Sequence, residues 1–299
     1  MLAPASAPAR AGAWTALTAA YEAAKPSRTL ANAITTAAGA FVAALAAGVF
    51  DWPRIALAFL ASALVVAGAC TLNNYLDRAL DARMPRTAKR ALPARILPPA
   101  LVLAEGVVLA VLGFALSLLL GMLAFAALAA GFIIYLAAYG PLKRVSIESA
   151  LVGSIAGAMP IVAGYVAIAR VLDARVLVLG IILVAWQMAH FYAIALYRLD
   201  DYAQGGIPTL PAVKGARFTR IAIMGYCVIF LAAMLAMGVL GEGILYLAAM
   251  ALMGIGWIVQ GAVTPFSASP ARWGQAMFRY SLLAILGVSI ALPLGFLLP

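Results

Sequence analysis

The stretch Asn73-Asn74-Tyr75-Leu76-Asp77-Arg78-Ala79-Leu80-Asp81 ends a long apolar run and holds two of the ten acidic residues in the chain. Asn73, Asp77 and Asp81 are spaced four and four. On an α-helix that spacing stacks three oxygen-bearing side chains along one face, about 6 Å of rise apart. Arg83, Arg86, Lys89, Arg90 and Arg95 follow directly. Carboxylates and cations crowded at the edge of an apolar run indicate chemistry rather than packing.

The composition fixes the surroundings of that stretch. Of the 299 residues, 66% are hydrophobic and 10% charged, and the mean hydropathy is +1.07. Soluble domains are nearer half apolar and a quarter charged. The chain therefore reads as an all-α polytopic membrane protein, because its apolar runs are long enough for helical spans. The short alternating segments of a membrane β-barrel are absent. The net charge of +10 does not indicate nucleic acid, since the basic residues sit in short connections between apolar runs. Cys70 and Cys227 lie in apolar runs without metal-ligand spacing, which suits inert packing residues and no disulfide framework.

Nine spans are expected, at roughly 29–50, 55–76, 98–119, 121–140, 148–169, 175–197, 218–240, 243–263 and 277–297, each near the ~20 residues that cross a bilayer core. With this threading, 17 of the 20 Lys and Arg residues fall on one side. Only Arg54, Arg170 and Arg175 fall on the other, which places the N-terminus in the cytoplasm. Residues 1–24 form an expected N-terminal tail, and 25–299 a single transmembrane domain. The tail lacks a continuous apolar segment, so a cleaved signal peptide is not expected. Trp14, Leu17 and Tyr21 have helical spacing, and the tail is either a short surface helix or disordered. Small residues such as Gly153, Gly157, Gly254 and Gly256 read as close-packing positions between helices.

Polar groups in or near spans are costly and must face a cavity or a partner. Two cytoplasmic loops are expected to hold nearly all of them: Asn73–Arg95, and Gln187 through His190, Tyr197, Arg198, Asp200, Asp201 and Tyr202 to Lys214. Two acidic clusters with basic neighbours suit Mg²⁺ and a diphosphate. Mg²⁺ binds through one or two carboxylates plus substrate phosphates, while Lys and Arg stabilise a diphosphate leaving group. A hydrocarbon tail on that diphosphate would lie among the membrane lipids. Proton relays also use membrane carboxylates, but near the midplane rather than in an Arg-rich loop.

At these residues the chain resembles the UbiA-type intramembrane prenyltransferases. Asn73-x-x-x-Asp77-x-x-x-Asp81, followed by Met84-Pro85-Arg86-Thr87-Ala88-Lys89-Arg90, is similar to their first signature in the form found in the heme-farnesylating branch. Tyr139-Gly140-Pro141-Leu142-Lys143-Arg144, the helix Gly153 to Pro160, Trp186-Gln187-Met188-Ala189-His190-Phe191 and the run Asp201 to Pro211 resemble further segments of that branch, in its order. Tyr197 stands four residues before Asp201, where the wider superfamily has a second aspartate, and the heme-farnesylating branch shares this reduced form. Ala189 and Ala91 replace family prolines, Gly205 stands where Ala is usual, and Thr209 where an apolar residue is more usual.

The resemblance implies about nine helices around a central cavity, with farnesyl diphosphate bound through Mg²⁺ and the two acidic motifs. A vinyl group of heme B would be alkylated to give heme O, which heme-copper oxidases need. A downstream heme A synthase or oxidase assembly would be the partner, and a bacterial inner membrane the location. Asp77, Asp81 and Asp201 are the expected catalytic residues, and with Asn73 the expected metal ligands. Asn32, Asn73, Arg86, Arg90, Tyr139, Lys143, Arg144, His190 and Tyr197 are expected to meet substrate. Set against this, the arginines and lysines are also ordinary positive-inside charges, and His190, the only histidine, also reads as a packing residue. A quinone precursor as acceptor, or an ion-coupled transporter, are the alternative functions.

Overall fold

Proline, aspartate and glycine mark where the apolar runs become helices. The computed structural model describes residues 12–240, 244–266 and 269–295, and every regular element among them is helical. The helices are α1 (Ala13–Ala23), α2 (Pro26–Ala47), α3 (Trp52–Asp81), α4 (Pro99–Leu120), α5 (Met122–Leu142), α6 (Ser149–Ala169), α7 (Ala174–Tyr197), α8 (Leu199–Gln204), α9 (Leu210–Val239), α10 (Ile244–Val263) and α11 (Pro270–Gly295). Pro26, Pro53, Pro99 and Pro211 lie in first turns, where a missing N–H costs nothing. Asp51 caps α3 by accepting from the Arg54 N–H at 3.0 Å. Asp173 caps α7 by accepting from the N–H groups of Arg175 and Val176 at 3.0 and 3.2 Å. Gly48 ends α2 in the left-handed region at φ 67°.

Seven of the described helices, α2 to α7 and α9, are long and apolar enough to cross a membrane, and the chain is a multi-pass membrane protein. Helices α10 and α11 occupy the eighth and ninth expected spans. Residues 1–11, 243 and 296–297 of the expected tail and spans lie outside the described residues. Residues 13–23 of the tail are helical, with Trp14, Leu17 and Tyr21 exposed on one stripe. The two expected polar loops are corrected: Asn73–Asp81 and Gln187–Tyr197 are the ends of long helices. Buried ion pairs let α3 continue through its charged residues to Asp81, and the polar residues from Gln187 to His190 stay within the helix that ends at Tyr197.

Successive spanning helices are neighbours around the bundle, and α11 returns to touch both α2 and α7. Lipid tails are as apolar as leucine, so close backbone approach must supply much of the association. A Cβ on Gly68 would lie 2.7 Å from the Ala110 nitrogen, and one on Gly113 would lie 2.6 Å from the Val65 nitrogen. These two glycines bring α3 and α4 into backbone contact.

Two of the three arginines expected outside the cytoplasm close helix ends. Arg54 donates through Nε to the Ala167 carbonyl at 2.6 Å and through Nη2 to the Leu120 carbonyl, tying the ends of α4 and α6 to the start of α3. Arg175 Nη2 donates to the Leu240 carbonyl at 2.7 Å, just past α9. Each donates to carbonyls at helix ends, where the intrahelical ladder runs out of donors. Arg54→Ala is expected to destabilise the bundle by about 2–3 kcal/mol, since charged hydrogen bonds are each worth roughly 1.5–3. A thermal scan of the detergent-extracted protein checks this, and an unchanged midpoint would refute the clamp.

Candidate active site

The last turns of α3 carry the acidic residues into the bundle rather than to its surface. Asn73, Asn74, Asp77 and Asp81 are all buried, so each charge needs a partner. Asp77 has three. Lys143 Nζ forms an ion pair with Oδ2, Arg144 Nη2 reaches Oδ1 at 3.1 Å, and Asn73 Nδ2 donates to Oδ2 at 2.9 Å. The Asn73 oxygen accepts in turn from Lys143 Nζ at 3.3 Å. Arg90 Nη1 holds Asp81 Oδ2 at 2.7 Å. Asp201 on α8 pairs with Arg198 at 3.4 Å and with Arg86 Nε at 3.7 Å. Arg86 lies in the loop after α3, so this pair joins the first acidic cluster to the second.

Local structure explains how the cations get there. Residues Ile134–Tyr139 of α5 form a π-helical turn, a widening that recurs at functional sites. It stacks Tyr135 on Tyr139, with ring centroids 5.5 Å apart and planes at 14°. Lys143 Nζ lies 5.3 Å over the Tyr139 ring. Gly153 leaves room for that ring, and Gly157 leaves room for the buried Gln187 side chain. These two positions therefore shape the site as well as the packing. Thr87 Oγ1 donates to the Asp81 carbonyl at 2.8 Å and folds the Arg86–Arg90 loop back over the end of α3. Burial pushes the Lys143 ammonium below the ordinary lysine range, opposed by Asp77.

The remaining expected residues divide. Tyr197 packs on Phe278 at 5.4 Å and lies under Arg198. His190, Ile194, Tyr197 and Asp201 are not one continuous helix face, because Arg198 leaves helical geometry at φ −114°, ψ 23° and separates α7 from α8. The break turns Asp201 back toward Arg198. Asn32 donates to the Arg28 carbonyl one turn earlier at 2.9 Å, and among the described residues no hydrogen bond joins its side chain to the acidic clusters.

Lys25, which the site expectations omitted, lies at this end of the bundle with Arg28. Lys25 links α1 to α2 in a left-handed conformation, φ 50°, ψ 63°, a strain that non-glycine residues adopt rarely. Burial lowers its ammonium to about 8, with Cys70, Arg28, Arg90 and Asp81 within electrostatic reach. Arg28 also acts on Tyr202, whose phenol is raised by burial. A positive backbone angle has no signature in the residue type, so only the lysine before Pro26 hinted at it.

Five cations thus neutralise three carboxylates, and Lys25 and Arg28 add to the excess. Among the described residues no group of three or more His, Cys, Asp or Glu side chains is gathered closely enough to hold a metal ion. The donors are hard oxygens, one or two carboxylates per cluster, which is the set Mg²⁺ takes together with phosphate oxygens. The residues present fit that ion, with substrate completing its shell.

A bundle of long apolar helices with ion-paired aspartates at one end defines an intramembrane enzyme of the diphosphate-handling kind, and the comparisons agree. The UbiA prenyltransferase family matches residues 32–283, and the chain belongs to it. It is 34% identical over 275 residues to the protoheme IX farnesyltransferase of Edwardsiella ictaluri, covering 91% of this chain and 92% of the relative. It is 37% identical over 277 residues to the enzyme of the same name from Chromohalobacter salexigens, with 91% and 92% covered. Among solved structures, digeranylgeranylglyceryl phosphate synthase superposes with a TM-score of 0.77 at 16% identity, covering 94% and 98%. A UbiA homologue from Archaeoglobus fulgidus bound to DMAPP and Mg²⁺ gives 0.67 at 14% identity, covering 92% and 98%.

Proposed function

We propose that the chain transfers the farnesyl group of farnesyl diphosphate to a vinyl group of heme B, releasing diphosphate and giving heme O. The observation that carries the reading is Asp77, buried between Lys143, Arg144 and Asn73 in a chain that matches protoheme IX farnesyltransferases over nine-tenths of its length. The relatives support the acceptor, and the ion pairs support the diphosphate chemistry.

Asn73, Asp77, Asp81 and Asp201 would hold Mg²⁺. Bound with the diphosphate, that ion would withdraw charge from the leaving oxygens. The chain's own groups act by exchanging partners. Lys143, Arg144 and Arg90 leave their carboxylates and turn to phosphate oxygens, which are the stronger acceptors at higher charge. The C1–O bond breaks, its electron pair leaves with the diphosphate, and these cations stabilise that charge. The vinyl π electrons form the new bond to C1, and water adds to the resulting cation beside the ring with loss of a proton. Arg86 and Arg198 on Asp201 set the closure between the two clusters. The cation-rich end is the cytoplasmic one, with the N-terminus on that side of a bacterial inner membrane. Incubating the purified protein with heme B, farnesyl diphosphate and Mg²⁺, then searching for heme O by mass spectrometry, tests the reading. A folded, heme-binding sample that yields none would sink it.

Lys25 adds a pH dependence. Its charged form attracts the diphosphate, and binding the anion raises its pKa from about 8. Affinity is then fully present below pH 8 and falls as pH rises through it, by up to about tenfold per pH unit. The KM for farnesyl diphosphate is expected to climb between pH 7 and 9 in the wild type. In Lys25→Arg it should stay flat over that range. Equal slopes in both proteins would remove Lys25 from the site.

A further inference from the structure

His190 is the one histidine of the chain, and its surroundings leave a single edge of the imidazole free. Trp186 stacks on it with centroids 4.8 Å apart and planes at 22°. Phe278 of α11 lies 5.0 Å away at 39°, and Phe191 lies 5.8 Å away at 58°. Nδ1 is 2.6 Å from Ser281 Oγ. Ser281 is buried, and its Oγ is also 2.6 Å from the Phe278 carbonyl. Two oxygens that close repel unless a proton lies between them, so the one hydroxyl proton of Ser281 goes to Phe278. Ser281 must then accept from His190, and Nδ1 carries the ring proton. Nε2 is left as a bare lone pair. It has no partner among the described residues, and it is not one of the buried unpartnered atoms there. Trp186 Nε1 donates to the Ser281 carbonyl at 2.7 Å and fixes the same contact between α7 and α11 from a second side.

A neutral imidazole whose Nδ1–H is donated to an oxygen, with one face stacked on Trp186 and its Nε2 left without a partner, has the arrangement of a metal-ligating histidine and its supporting shell. We propose that His190 Nε2 binds the iron of the porphyrin acceptor as an axial ligand, with Ser281 as the positioning residue that holds the tautomer. The inference rests on the farnesyl-transfer reading for the identity of the acceptor. His190 lies seven residues before the end of α7, about 10 Å below the acidic face by helix rise. Iron held there fixes the depth of the porphyrin plane, and with it the vinyl edge, beneath the cations that hold the diphosphate. The side chain is a substrate anchor rather than a proton carrier, since its Nδ1 hydrogen is already committed.

The test is a titration of heme B into the purified protein, read by resonance Raman of the ferrous complex. Wild type is expected to show an iron–imidazole stretching band. His190→Ala should lose it, bind heme B roughly tenfold more weakly or worse, and recover the band when free imidazole is added. Ser281→Ala keeps the ligand and should shift the band to lower frequency, because Nδ1–H loses its acceptor. That arm decides the question even where His190→Ala does not fold. A wild-type spectrum without the band, an unchanged band in His190→Ala or an unshifted band in Ser281→Ala would each overturn the proposal. Heme O formation by wild type is measured in parallel. Its absence with the band present refutes the transfer reading alone, and its presence with an unchanged His190→Ala spectrum refutes the iron ligand alone.

Discussion

Asp77→Asn is expected to lower heme O formation about a thousandfold while leaving the chain folded in the membrane. Removing one preorganised charge-stabilising group costs roughly 10²–10³ in turnover, and Asp77 has two roles at once. It would be a metal ligand, and it holds Lys143 and Arg144 in readiness. The amide is nearly isosteric and its oxygen, with two lone pairs, still accepts from both Asn73 and Lys143 at the Oδ2 position. The fold therefore loses about 1–3 kcal/mol rather than its core. Turnover measured by mass spectrometry, beside a thermal scan of the same sample, separates the two effects. Asp81→Asn should behave alike through Arg90. Activity within tenfold of wild type in both variants would refute the carboxylate assignment.

Those aspartates were legible because a four-residue repeat is a helix face wherever it occurs, and α3 does continue to Asp81. The spans were legible because membrane helices are set by length and hydropathy. What a sequence leaves hidden is which cation meets which carboxylate. Lys143 and Asp77 are 66 residues apart, and their contact depends on a π-helical turn that no residue in Ile134–Tyr139 announces. The break at Arg198 was invisible for a related reason. Apolar periodicity runs up to Tyr197, and the turn after it is held by Asp201 pairing back to Arg198. Ser281 carries no motif at all, and its importance comes only from meeting His190 across 91 residues. Asn32 lies at the other extreme, a residue picked by pattern whose amide donates to the Arg28 carbonyl of its own helix.

Gly164→Val is the substitution expected to cost the most in stability, and the site depends on it at a distance. A Cβ on Gly164 would lie 1.8 Å from the Thr36 carbonyl oxygen and 2.7 Å from its carbon. Across the same contact, a Cβ on Gly39 would meet the Ile161 carbonyl oxygen at 2.2 Å. Helices α2 and α6 are therefore in backbone contact from both sides, and no side-chain rotation relieves a clash with backbone. Thr36 cannot retreat either, because its buried Oγ1 lies 2.7 Å from Ser62 Oγ on α3 and 2.9 Å from the Asn32 carbonyl. Overpacking in a yielding core costs about 1–3 kcal/mol, and a wedge between two pinned backbones should reach the top of that range or exceed it. Helix α2 also begins just after Lys25 and carries Arg28 in its first turn, so a valine that pushes it outward withdraws both cations from the acidic end. Size-exclusion profiles of detergent extracts should show loss of the monodisperse peak for Gly164→Val. Gly225→Val on α9 is the matched control, since nothing lies within 4 Å of a Cβ there, and it should elute as wild type. Equal behaviour of the two variants would mean that α2 and α6 are not held by the Gly164 contact, and the placement of Lys25 and Arg28 would then need another cause.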